Sequence, residues 1–307
     1  GESLPGRPFP GTVGAGQAVR IMTGAPMPAG ADAVVPAEYA REAGERVEVT
    51  TAVPPRKHVG PEGEDVAAGE VLLEPGRRLR PQDVGLAASL GRAELLTVAR
   101  PRVRLVVTGD ELVAPGGERP SARIFDANSD MLRGLVARDG GTLEEARRVG
   151  DDPEAIAAAL TAPGADVVIA TGGSSVGAED HAPHLLARLG ELAFHGVAMR
   201  PSAPTGLGRI GERQVFLLPG NPVSCLAAYE LFAGRAIRAR GGRPADLPHP
   251  SVNAPLTGKV ASAIGRMDYC RVALGPAGVT PIALSGASIL SSTTRADGFV
   301  LVPADSE

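Results

Sequence analysis

The stretch ADVVIATGGSSVGAEDH, residues 165–181, opens on aliphatic residues and then gives up side-chain bulk almost entirely before ending on two carboxylates and a histidine. A short uninterrupted apolar run of this kind reads as a strand buried on both faces. Glycines 172 and 173 directly after it leave the main chain uncovered, so an anion could approach the amide N–H groups without meeting a Cβ. In an open α/β sheet that is where ligands bind, because loops and helix N-termini converge at the carboxyl ends of the strands. A plain turn is the competing reading of the same glycines.

Working outward, the texture on both sides is that of alternating strands and helices. RVRLVVTG (102–109) reads as a strand, DANSDMLRGLVARDGG (126–141) as a helix with Leu132, Leu135 and Val136 on one face, and TLEEARRVG (142–150) as a strand. DDPEAIAAALTA (151–162) is helical with Pro153 in its first turn, as is HAPHLLARLG (181–190). QVFLLPG (214–220) leads into the long helix NPVSCLAAYELFAGRAI (221–237). Crossover connections of this sort imply a doubly wound, mostly parallel α/β sheet covered on both faces, here spanning residues 100–242. The flanks differ. Residues 1–62 carry short alternating runs, QAVRIM, ADAVVPAEY and ERVEVT, expected to form a small β-rich domain. Residues 63–99 form a mixed connecting segment in which RPQDVGLAASLG (80–91) reads as a helix, with Pro81 near its start and Gly91 past its end. After the proline-rich GGRPADLPHP (241–250), the strands RMDYCRVALG, VTPIAL and GFVLVPA make residues 243–307 a second small β domain.

Composition narrows the function. With 307 residues, 43% of them hydrophobic, the chain can bury a sizeable core. A net charge of −4 and 3% aromatic residues argue against nucleic-acid binding by bulk charge or base stacking. No apolar run approaches the roughly 20 residues needed to span a bilayer. Two cysteines, Cys225 and Cys270, are too few for a disulfide framework and point to a reducing, cytoplasmic setting. The opening GESLPGRPFPG has no export signal and reads as the interior of a domain whose front is absent.

The strand ends gather the chemistry. They carry Thr108, Gly109, Asp110 and Glu111, then Asp151 and Asp152, then Gly172, Gly173, Ser174, Ser175, Gly177 and Asp180. Arg200, Ser202 and Thr205 follow, and finally Pro219, Gly220, Asn221, Pro222 and Ser224. Pro222 at a first helical position leaves neighbouring amides free for an anion, which makes 221–224 a second expected cradle. Glu111, Asp151 and Asp180 would repel a phosphorylated ligand unless a hard cation lay between them, and Mg²⁺ takes carboxylate together with phosphate oxygens. Glu111 and Asp180 are the expected metal ligands. Each piece also has a bland reading: Asp151 or Asp152 as a helix N-cap, Asp110 and Glu111 as a solvated turn. His181 and His184 stand at helical spacing without a third ligand, so a zinc site is set aside.

These motifs also carry a resemblance. VVTGDEL (106–112), IFDANSDML (124–132), Asp151-Asp152, TGGSSVGAED (171–180) and LPGNPVS (218–224) follow in the order seen in molybdopterin molybdenumtransferases, the MoeA and gephyrin E-domain type. RIMTGAPMPAGADAVVPAE (20–38) and GPEGEDVAAGE (60–70) are similar to the same family's amino-terminal half, so the resemblance covers nearly the whole chain. It implies an enzyme of molybdenum cofactor biosynthesis that takes adenylylated molybdopterin and molybdate, with Mg²⁺, inserts the metal and releases AMP. It implies active-site roles for Thr23, Asp65, Glu111, Asp151 and Asp180, a contribution from Arg271 and Ser288 in the last β domain, a homodimer whose site the partner subunit completes, and transient contact with other proteins of the pathway. The sequence departs from the family in two places. Where the family shows Lys-Pro-Gly-Lys-Pro this chain has Arg200-Pro201-Ser202-Ala203-Pro204, and a further upstream lysine aligns with Gly196. The family's Ser-Ala-Met-Asp-Gly-Tyr-Ala motif lies ahead of the first residue. Arg209 and Arg213 are candidate replacements for the lost cations. Two rival readings follow: a molybdopterin adenylyltransferase, which shares the α/β domain, and a catalytically impaired paralogue serving as a binding or scaffold module.

Overall fold

A computed structural model of the protein describes residues 1–173 and 181–306, and the chain divides into two compact units, Gly1–Glu74 and Pro75–Glu307. In the first unit β1 (Glu2–Ser3) pairs in parallel with β2 (Arg20–Ile21), and β3 (Ala40–Ala43) forms an antiparallel hairpin with β4 (Arg46–Val49). Residues 31–36, expected to be extended in a sheet, join no strand: Pro36 has no N–H to give a ladder, and a 3-10 turn follows at Ala37–Tyr39. This unit is therefore held by turns more than by ladders.

The second unit opens with α1 (Pro81–Ser89). Gly91, at φ +74°, ends it in the left-handed conformation, its N–H bonded to the Ala88 carbonyl and that of Arg92 to Ala87, the paired closure typical of a glycine C-terminus. Then come β5 (Arg102–Thr108), the short parallel pair β6 (Leu112–Val113) and β7 (Ile124–Phe125), α2 (Asn128–Arg138), β8 (Thr142–Val149), α3 (Pro153–Thr161), β9 (Val167–Thr171), α4 (Ala182–Leu189) and β10 (Glu191–His195). After β11 (Met199–Arg200) follow β12 (Gly206–Ile210) and β13 (Arg213–Leu218). The next helix runs as α5 (Pro222–Ala228), a π turn over Tyr229–Ala233 and α6 (Gly234–Arg240).

Six of these strands form one sheet in the order β10-β12-β13-β9-β5-β8, parallel from β13 to β8. Because side chains alternate across a strand, Val103 and Leu105 face α2 and the α5–α6 helix while Val106 faces α3 and α4. Both faces are thus filled, as the uninterrupted apolar runs require. The antiparallel edge, β10 and β12, is the part that periodicity does not announce. Its glycines look like loop residues, yet a Cβ on Gly190 would stand 2.0 Å from the Arg209 carbonyl oxygen and one on Gly208 2.1 Å from that of Glu191. They are glycines because two backbones pass there.

The chain closes with β14 (Met267–Gly275), β15 (Gly278–Ala283), α7 (Ser291–Thr294) and β16 (Gly298–Val302). β14 pairs with β15, β16 and, in parallel, with β11, so a segment of the α/β region is built into the last sheet. Beneath the joint, Arg138 binds Glu230 at 2.6 Å and Asp139 at 2.8 Å, and Arg238 lies 2.9 Å from Asp139. Burial works against the Asp139 carboxylate, but these guanidinium groups outweigh it and hold its pKa below the usual range. Both cysteines are free and buried, and burial pushes the Cys225 thiol up to about 12, so it is unreactive.

Candidate functional site at the carboxyl edge of the sheet

Four neighbouring strands, β8, β5, β9 and β13, deliver their carboxyl ends in a row. At the β5 end Gly109 takes φ +142°, and a Cβ there would stand 2.5 Å from Oε2 of Glu111, so the glycine lets that carboxylate fold back across the turn. The Asp110 N–H donates to the Asp151 carboxylate at 3.1 Å and the Asp151 N–H to that of Asp110 at 3.4 Å, which ties the β5 and β8 ends together. The two acids of the Asp-Asp pair divide their work: Asp152 caps α3, accepting from the N–H groups of Glu154 and Ala155, while Asp151 stands beside the β5 turn.

At the β9 end Gly172 and Gly173 both have left-handed backbones, φ +88° and +53°. A Cβ on Gly172 would lie 2.3 Å from the Thr108 carbonyl oxygen. Gly172→Ala should therefore destabilise the protein by roughly 2 kcal/mol, from the conformational penalty plus the displaced β5 backbone, and a denaturant titration showing less than a quarter of that loss would disprove the close approach. Ser174, Ser175, Gly177 and Asp180, all expected in the anion loop, lie outside the described residues, so of the expected metal ligands Glu111 is described and Asp180 is not. Among the described residues no group of three or more His, Cys, Asp and Glu side chains is arranged to hold a metal.

The β13 end, Pro219-Gly220-Asn221, packs directly against the glycine turn: a Cβ on Gly220 would be 3.4 Å from the Gly172 Cα. The expected second cradle is smaller than the sequence suggests. Pro222 has no N–H, and that of Val223 is spent on the Ala287 carbonyl oxygen at 2.9 Å. That bond instead joins the start of α5 to the loop Ser285–Ser288 of the last β domain.

Between these elements lies a cavity of about 580 Å³, lined by Val197–Pro204, Pro219, Asn221, Ser224, Gly265, Arg266 and Ser285–Ala287. Arg200 binds the fully buried Asp268 at 2.6 Å; Arg266 approaches the same carboxylate at 3.4 Å and the Ser262 hydroxyl donates to it at 2.9 Å. Two arginines on one aspartate leave the wall with a net positive charge. Arg271 lies behind it, its guanidinium donating to Ser292 Oγ and to the Ser285 carbonyl oxygen, and its burial lowers its pKa. The Ser202 hydroxyl is committed to the Ser224 carbonyl oxygen at 2.6 Å and that of Thr205 to Ser202, so both shape the loop. Ser288 is exposed on the neighbouring loop.

Two candidate replacements for the missing lysines sit elsewhere. Arg209 pairs with Glu191 on the antiparallel edge, and Arg213 donates to the Leu160, Thr161 and Ala162 carbonyls at the opposite end of the sheet. A second cation that lines the cavity beside Arg200 is Arg266, the first residue of RMDYCRVALG, which the strand pattern alone does not mark as a site residue. Asn128, in IFDANSDML, is likewise unmarked by pattern: its Nδ2 donates to the Gly220 carbonyl oxygen at 2.8 Å and to Thr171 Oγ1 at 3.2 Å. Thr23, in the turn after β2, and Asp65, in the turn of residues 61–65, are both exposed on the first unit.

Comparison with known proteins identifies the family. Residues 3–91 match the family description "MoeA N-terminal region (domain I and II)", residues 104–239 "probable molybdopterin binding domain", and residues 253–307 "MoeA C-terminal region (domain IV)". Molybdopterin molybdenumtransferase 2 of Mycobacterium tuberculosis is 36% identical over 296 residues, covering 93% of this chain and 73% of that protein. The molybdopterin molybdenumtransferase of Haemophilus influenzae is 32% identical over 315 residues, covering 98% and 77%. The solved molybdopterin biosynthesis MoeA protein of Pyrococcus horikoshii superposes with a TM-score of 0.81 at 29% identity, over all of this chain and 76% of that one.

Proposed function

This chain belongs to the molybdopterin molybdenumtransferase family, and we propose that it transfers molybdate onto adenylylated molybdopterin with release of AMP in a Mg²⁺-dependent reaction. The observation that carries this reading is the polarity of one sheet edge. Carboxylates Glu111, Asp110 and Asp151 occupy the β5 and β8 ends, whereas the arginine-walled cavity opens beside the β13 end. Three inter-strand spacings separate β8 from β13, roughly 14 Å, a span suited to a long substrate with a phosphoanhydride in its middle.

In the reaction, water splits the phosphoanhydride into a pterin phosphate and AMP. Amide donors at the Gly173 and Asn221 turns meet the charge that develops on the phosphate oxygens. Glu111 and Asp180 would hold Mg²⁺ together with phosphate oxygens; Glu111 is exposed at its strand end and Mg²⁺ needs only one or two protein carboxylates, so the described residues fit that mode. When bound, the ion offsets phosphate charge. Arg200, Arg266 and Arg271 supply the positive field for molybdate, a dianion. Arg266 is the cation that the Arg200–Pro204 segment lacks, which favours an active transferase over an impaired paralogue. The exposed apolar side chains Leu90, Leu96 and Val98 support a homodimer, and a cytoplasmic setting accords with two free thiols.

The test is direct. Incubated with purified adenylylated molybdopterin, molybdate and Mg²⁺, the protein should release AMP, and omission of either ion should suppress the release. Formation of the adenylylated adduct from molybdopterin and ATP would instead identify an adenylyltransferase, and tight binding without AMP release a scaffold.

A further inference from the structure

We infer that Asn128 is a positioning residue that aims the Gly220 and Asn221 amide N–H groups at a substrate phosphate; the inference rests on the function proposed above for the same site. Asn128 is the first residue of α2 and only 7% exposed. One of its Nδ2 hydrogens goes to the Gly220 carbonyl oxygen and the other to Thr171 Oγ1, and that hydroxyl donates onward to the Pro219 carbonyl oxygen at 3.2 Å. The amide orientation follows from chemistry, since a carbonyl oxygen at 2.8 Å can only face the NH₂ end.

Two consecutive carbonyls, Pro219 and Gly220, are thereby drawn toward α2 and β9. Their peptide bonds are trans, since Arg200–Pro201 alone is cis among the described residues. In a trans peptide the N–H points opposite to its C=O. Drawing these carbonyls toward Asn128 turns the Gly220 and Asn221 N–H groups away from it, on the turn whose Pro219 and Asn221 line the cavity. Neither N–H has a protein acceptor among the described residues.

Ordinary structural duties do not account for this side chain. Helix capping falls to Asp126, whose carboxylate accepts from the Ser129 N–H and hydroxyl. Nor does Asn128 serve packing economically, because its Oδ1 is buried without a partner, an arrangement that costs roughly 1–3 kcal/mol. An apolar residue would avoid that cost but would release both carbonyls. The ligand that fits two adjacent amides beside glycines is a phosphate oxygen, and here the pair would share the phosphoanhydride with the Gly173 turn.

Three variants and two readouts test this. In Asn128→Ala and Asn128→Asp, kcat/KM for AMP release should fall roughly 10–100-fold, mostly in kcat, since misaimed donors lose part of what a deleted oxyanion donor loses. Thr171→Val, which keeps strand shape and the bond from Asn128 to the Gly220 carbonyl oxygen but removes the hydroxyl that links Asn128 to Pro219, should lose less. In parallel, ¹⁵N-labelled protein is titrated with inorganic pyrophosphate. The Gly220 and Asn221 amide signals should move on binding to the unaltered protein, and move less in each variant. Loss of folded protein alone would lower amplitude without changing KM or these shifts. The inference is overturned if those two signals stay still at saturation, if they move equally in Asn128→Ala, or if Asn128→Ala and Thr171→Val both keep kcat and KM. Signals that move as expected in a protein that releases no AMP would overturn the proposed function and leave Asn128's role standing.

Discussion

Asp268→Ala is expected to lower stability by about 2–3 kcal/mol, with a fall in Tm of roughly 5–10 °C. Asp268 is fully buried on β14 and stands in register opposite Arg200 of β11. It binds Arg200 at 2.6 Å, accepts from Ser262 at 2.9 Å and lies 3.4 Å from Arg266. Removing one charge from a buried pair leaves its partners desolvated without compensation, which typically costs 3–5 kcal/mol. Because each arginine side chain is about a third exposed, water takes up part of that loss and the lower figure applies. Near-ultraviolet circular dichroism is a suitable probe: the chain has no tryptophan and three tyrosines, of which Tyr229 and Tyr269 are buried in this unit and Tyr39 is exposed in the other. A Tm within about 1 °C of the unaltered protein would show that the aspartate does not hold β11 in the last sheet.

What could be read before the structure was known, and what could not, follows from the range of the interactions. β5 and β9 were legible because both their faces are buried, which leaves an unbroken apolar run of strand length. Helix α3 was legible from Asp152-Pro153, a cap followed by a residue pre-set for the first turn. The edge strands were not, since Gly190 and Gly208 are dictated by a backbone lying across from them, a partner that local pattern does not reveal. The same holds within the site. Glu111, Asp151 and the glycine turn announce themselves by position after a strand, but Asn128 acts on a carbonyl 92 positions away and Arg200 on a carboxylate 68 positions away. The Val223 amide, expected free at the start of α5, is spent for the same reason: its acceptor comes from the last β domain. Arg209 and Arg213 were reasonable by proximity in sequence, but an arginine's reach depends on which end of the sheet it starts from.

Arg266→Ala should reduce kcat/KM for AMP release about 100-fold, with the KM for molybdate rising, while stability changes by less than about 1 kcal/mol. The stability estimate holds because Asp268 keeps Arg200 and Ser262 as partners when Arg266 is removed. The larger effect on activity comes from the charge of the cavity lining: Arg200 and Arg266 against Asp268 give a single net positive charge, and without Arg266 it falls to zero, with only Arg271 left behind the wall. A unit pair at contact distance contributes up to about 4 kcal/mol at an effective dielectric near 20; partial exposure reduces this to roughly 2.7 kcal/mol, the equivalent of 100-fold. If the role is electrostatic, Arg266→Lys should recover part of the activity, raised molybdate should rescue Arg266→Ala more than it helps the unaltered protein, and added salt should weaken the unaltered protein more than the variant. Arg266→Glu, which gives the wall a net negative charge, should be worse than alanine. An unchanged molybdate KM in both Arg266→Ala and Arg266→Glu would mean that the oxyanion is bound elsewhere, and the altered Arg200–Pro204 segment would then be a genuine loss without replacement.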